Sequence, residues 1–157
     1  MGMFSKKYTY LLGCLLLISP VHGNITVTEA WVRAGPTNAT TMAAYATIMN
    51  HSSVTELKRI TAEGFGKAQI HKTTMKDSMA MMEKFDSLTL LKNQTLELKP
   101  GSWHIMLTNP EVVPQQGELV GLHFFFESEG MAKEVSVQAT VLKMKIKSDE
   151  LKMEPNH

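Results

Sequence analysis

Inside the stretch "GSWHIMLTN" (101–109), His104 and Met106 set an imidazole and a thioether two positions apart. Side chains two apart on a β-strand share a face, so the pair would stand together. Trp103, Ile105 and Leu107 would fill the other face as an ordinary core row. Upstream, His71 is followed by Met75, Met79, Met81 and Met82 amid mostly polar residues. Methionine packs adaptably where there is a core to fill, but polar neighbours make that an awkward explanation for four of them. Thioether sulfur is a soft ligand that selects Cu(I), and imidazole also suits copper. Two histidines with one or two methionines therefore form a coherent donor set for Cu(I). Zinc more commonly draws on cysteine, histidine or carboxylate.

The remaining candidates have plainer readings. His51 lies in the turn "NHSS", where solvation accounts for it, and His157 ends the chain. His123, in "GLHFFFE", reads as a packed or surface strand residue. Met42, Met49 and Met131 read as core filler or surface residues. The carboxylates Glu83, Asp86 and Glu97 show no spacing that suggests an acid–base pair, and they are expected at the solvated surface. No HExxH motif and no nucleophile–base arrangement is present, so the chain is not expected to be an enzyme.

These residues belong to a chain of 157, long enough for one domain with a real core. Hydrophobic residues make up 43% and charged residues 20%, and the formal net charge of +1 gives no case for nucleic acid. The first 23 residues stand apart. Lys6 and Lys7 precede the apolar run "LLGCLLLIS", which ends at Pro20 and the small-residue site "VHG". This is the pattern of a secretory signal peptide, too short to span a membrane comfortably. "LLGC" at 11–14 resembles a lipobox, but cleavage at Cys14 would leave "LLLISP" at the new terminus, so a lipid anchor is not the expected outcome. Export would remove the single cysteine, leaving no disulfide and no thiolate for a metal. That would argue against a blue-copper electron carrier, which needs a cysteine ligand. Thioethers, by contrast, carry no proton and withstand an oxidising compartment better than thiols.

Most of the rest alternates with period two between Gly, Pro and Asn punctuation. Strands are expected at "ITVTEAWVR" (25–33, with Ile25, Val27 and Trp31 on one side), "MAAYATIMN" (42–50), "VTELKRITAE" (54–63) and "FGKAQIH" (65–71). Further strands are expected at "QTLELKPG" (94–101), "ELVGLHFFFES" (118–128) and "AKEVSVQATVLKM" (132–144). "KTTMKDSMAMMEKFDSLTL" is less regular, and the tail from residue 142 lacks an apolar period and is expected to be mobile. Short strands with regular turns and no long amphipathic helix imply an all-β barrel or sandwich in one domain over 24–141.

The spacing His71, ten residues, Met82, twenty-one residues, His104, one residue, Met106 resembles the H-x10-M-x21-H-x-M motif of the periplasmic copper chaperones of the PCuAC family. "ITVTEAWVRAGP", "AAYATIMNHS", "EGFGKAQIHKTTM" and "LELKPGSWHIMLTN" resemble that family's flanking segments, so the likeness runs from about residue 24 to 141. It implies a cupredoxin-like Greek-key β-barrel and a periplasmic location. It further implies Cu(I) held by His71, Met82, His104 and Met106, and delivery to a partner, typically cytochrome c oxidase during assembly of its copper centres. A monomer without membrane insertion after signal cleavage is expected, its site lying on loops and one strand end. Lys72, Ser102 and Trp103 depart from the family's usual methionine, glycine and tyrosine, though none of these removes a ligand. Met75, Met79 and Met81 are candidate alternates, and Met144, Met153 and His157 in the tail remain open. The other reading is an exported β-sandwich interaction module whose histidines and methionines are structural, with no metal role.

Overall fold

A computed structural model describes residues 25–143. The signal-peptide expectation for 1–23, Cys14, and the tail from residue 144 with Met144, Met153 and His157 lie outside the described residues. Ten strands run in order: β1 (Ile25–Arg33), β2 (Thr41–Asn50), β3 (Thr55–Ala62), β4 (Phe65–Lys76), β5 (Met79–Phe85), β6 (Leu88–Leu90), β7 (Thr95–Leu98), β8 (Trp103–Pro110), β9 (Leu119–Ser128) and β10 (Met131–Leu142). No helix occurs among the described residues. The expected all-β class holds.

Seven strands close on themselves in the order β4–β8–β2–β1–β10–β9–β3, with β3 returning to β4. Closure removes the open edges that would otherwise invite pairing with other chains. β1 pairs β10 in parallel, and the other pairings are antiparallel. β6 and β7 are short additions, pairing β3 and β2. Inside lies one apolar core that includes Val32, Ile48, Leu57, Ile105, Leu107 and Phe124, all withdrawn from solvent. On β10 the expected alternation of Val135, Val137, Ala139 and Val141 reaches full burial in its last two members.

Two local features differ from the sequence expectation. Trp31 does not share a side with Ile25 and Val27. The register of β1 on β2 shifts between Thr28 and Trp31, and Glu29 takes a left-handed φ of 53°. That bulge switches the pleat, so Val32 enters the core while Trp31 packs outside against Tyr45, ring centroids 4.5 Å apart. The second difference is the "less regular" segment after His71. β4 continues to Lys76, turns through Asp77 and Ser78 (φ 50° and 64°), and returns as β5. This two-residue turn has the left-handed geometry that matches strand twist in a tight hairpin. β8 accompanies β4 only as far as Lys72, opposite Trp103. Beyond that point the hairpin is a projecting arm, exposed throughout residues 74–84.

Candidate metal centre

The four candidate ligands come from three adjacent strands, β5, β4 and β8, and the register decides which face each takes. His71 stands directly opposite His104 on β8, and Met106 opposite Gln69, two residues before His71. Across the other side of β4, Met82 stands opposite Thr73, two residues after His71. Cross-strand partners share a face, as do residues two apart. All four therefore lie on one face of the β5–β4–β8 ribbon. It is the outer face, because the intervening Ile70, Ile105 and Leu107 fill the core. The pairing of His104 with Met106 against a core row of Ile105 and Leu107 is as read from the sequence. The site lies on paired strands and the base of the arm, not on loops and one strand end.

Met82, His104 and Met106 line a groove of about 430 Å³, walled on its far side by Arg33 and the Gly35–Pro36 segment. That cover explains how His104, on the outer face, is only 8% exposed. Arg33 hydrogen bonds to the hydroxyl of Tyr45, whose acidity burial weakens, pushing its pKa above the usual value. The His71 ring lies beside that of His104, centroids 5.8 Å apart and tilted by 43°.

The two imidazoles are held differently. Nδ1 of His104 is 3.0 Å from the carbonyl oxygen of Ser102. A carbonyl only accepts, so Nδ1 carries the proton and donates, and in the neutral ring Nε2 is left with its lone pair. The same Ser102 carbonyl accepts the backbone N–H of Thr73 at 3.1 Å, which ties β4 to the start of β8. A turn presents this carbonyl: Ser102 N–H donates to the Lys99 carbonyl across Pro100–Gly101, and Gly101 has a φ of 76°. Proline followed by a left-handed glycine is the composition of a type II turn. Because the contact is made by the main chain, serine in place of glycine at 102 changes nothing in it.

His71 has no such partner. Both its ring nitrogens are buried, and neither finds a hydrogen-bond partner among the described residues. Desolvation, then the neighbouring His104 and Lys84, lower its pKa from the ordinary 6.5, keeping the ring neutral at pH 7. Neutral imidazole is the form that binds metals. Lys84 stands opposite His71 on β5 but leans to Asp86, 2.7 Å away.

Among the described residues no three His, Cys, Asp or Glu side chains converge on one point. Two imidazoles flanked by thioethers are the donors this face offers, a set suited to a soft cation and unsuited to calcium or magnesium. A hollow of about 610 Å³, larger than the groove, opens elsewhere on the barrel, but His51 and Met131 there have no second imidazole beside them. His123 also stands apart, its ring nitrogens taken up by Glu63, Glu134 and Ser136. Sequence reasoning missed the part played by the Ser102 carbonyl. Its signal was "KPGS", a type II turn placed so that the next residue's carbonyl faces His104.

The copper-bound PCuAC domain from PmoF2 has a similar structure, with 21% identity and a TM-score of 0.61 over 76% of this chain and 97% of that one. Apo-DR1885 from Deinococcus radiodurans is also similar, with 24% identity and a TM-score of 0.54 over 90% of this chain and 97% of that one. At these identities the likeness is one of fold, the cupredoxin-like barrel of PCuAC domains. The uncharacterised protein RP573 of Rickettsia prowazekii is 30% identical over 115 residues, 69% of this chain. This chain spans 62% of that relative's length. The fold that the sequence resemblance implied is borne out. The family described as "Putative lipoprotein LpqE-like" matches residues 25–141, the barrel from the start of β1 to the last residue but one of β10, and the chain belongs to this LpqE-like family.

Proposed function

We propose that the protein is an exported copper chaperone that binds one Cu(I) through His71, Met82, His104 and Met106 and passes it to a partner. The observation that carries this reading is the half-buried His71 ring, whose two nitrogens are shielded and unpartnered beside a second imidazole whose tautomer is fixed. Leaving buried polar atoms without partners costs free energy, and a bound cation removes that cost at one nitrogen. The thioethers of Met82 and Met106 share the groove with His104 and complete a soft donor set. The copper bound by the PmoF2 domain, which has the same fold, supports the choice of metal.

The mechanism is ligand exchange without catalytic turnover. The groove is open to solvent, and Met82 is 58% exposed at its rim, so an incoming donor can displace one ligand at a time. Copper is the cargo, and the protein keeps its neutral imidazoles and thioethers ready for it. We further propose the periplasm as the site of action and the copper centres of cytochrome c oxidase as the destination.

A Cu(I) competition titration on residues 24–157 under reducing conditions, beside the double variant His104→Ala/Met106→Ala, tests the reading. One tight equivalent in the parent, lost in the variant, is the expected result. Equal weak binding by both would overturn it in favour of an interaction module with structural histidines and methionines.

A further inference from the structure

Three methionines of the arm are left over by the four-ligand set, and the register shows that they are not equivalent. Met75 stands opposite Ala80 and Met82 opposite Thr73, so Met75, Met82 and His71 share the ligand face. Met79 is paired with Lys76 and Met81 with Thr74, which puts both on the reverse face. On the ligand face Met75 and Met82 are diagonal neighbours. Such positions lie about 7–8 Å apart, within reach of two long flexible side chains converging on one ion. Only the small side chains of Thr73 and Ala80 share that part of the face with them. Met75 is 69% exposed and gains nothing from burial. A line of thioether sulfur and imidazole nitrogen thus runs from the outer arm through Met82 to the groove.

We propose that Met75 and Met82 form a loading position for Cu(I), with Met82 shared between it and the four-ligand site. This rests on the copper reading above. In the first step one bond from copper to its donor breaks as the Met75 sulfur binds, and the donor's remaining bonds break as the Met82 sulfur binds, so that the donor leaves. In the next, the bond to Met75 breaks as an imidazole nitrogen binds, and Met82 stays attached. Copper remains Cu(I), no electron moves, and no proton leaves, because thioethers carry none and neutral imidazole offers a lone pair. Met79 and Met81, facing away, take no part.

The test is stopped-flow transfer of Cu(I) from its bicinchoninate complex, read as loss of the complex's colour, where the rate rises with protein concentration. Met75→Leu keeps an exposed apolar side chain of similar size and removes only the sulfur. Loading several-fold slower than the parent, to the same final occupancy, is expected for Met75→Leu. Met79→Leu/Met81→Leu is expected to load at the parental rate. Parental loading by Met75→Leu, or equal slowing by Met79→Leu/Met81→Leu, would overturn the loading position while leaving the copper site intact. A parent that takes no copper from the chelator would overturn the copper reading itself, and this inference with it.

Discussion

A histidine with two buried, unpartnered nitrogens is a cost that the copper-free protein bears. His71→Leu is therefore expected to stabilise the copper-free protein, or leave it unharmed, by about 1 kcal/mol while abolishing tight Cu(I) binding. Thermal melts of the two copper-free proteins beside a Cu(I) titration check this, and a large loss of stability would mean that His71 is structural. Titration of the same ring has a definite sign. Its pKa in the fold lies below the ordinary 6.5, so between the two values the unfolded chain binds more protons than the folded one. Stability of the copper-free protein should then rise with pH across that window and be penalised below it. Protons also compete with the metal for the ring, so Cu(I) affinity should fall as pH drops below the histidine range. Affinity that stays flat well below that range would exclude imidazole ligation.

At the scale of elements, legibility in the sequence followed burial. β8, β9 and β10 each keep a face against the core, and their alternation announced them, as it announced that His104 and Met106 share a side. The arm from Thr73 to Met82 has no buried face, so no period-two signal exists there to read. Its turn is also unannounced, since Asp77 and Ser78 adopt left-handed φ without the usual asparagine or glycine. The bulge at Glu29 was hidden for a similar reason: an inserted residue moves Trp31 to the outside without altering local composition. Nor does spacing reveal that the His71 nitrogens are buried without partners, because that depends on the neighbouring strands. The strained turn offers a test. Ser78→Gly should relieve about 1 kcal/mol of left-handed strain and raise hydrogen-exchange protection of the arm's amides roughly fivefold. Unchanged protection would mean that the arm opens by a route that does not break the turn.

For the molecule as a whole, fold and site are built on opposite sides of the same strands. Asn50, fully buried at the far end of β2 from the groove, donates to the carbonyls of Ser53, Leu90 and Leu91 and accepts from the N–H of Ser52. Asn50→Ala should cost about 2–4 kcal/mol in denaturant unfolding, since several buried groups lose their partner together. Distant, unconnected sites act independently, so Cu(I) affinity of the folded variant should stay within about twofold of the parent. A large affinity loss would show that the barrel transmits strain to the groove. The alternation of Ile70 with His71 and of Ile105 with Met106 has a consequence for how such a chain diverges. Point substitutions at outward positions can retune or erase the proposed copper site while the inward set still specifies the barrel. A single-residue insertion or deletion between Gly101 and His104 has no such latitude, because it would exchange the two sets and drive ligands into the core. Lineages of this barrel should therefore drift in their ligands far more readily than in the length of the segment that carries them.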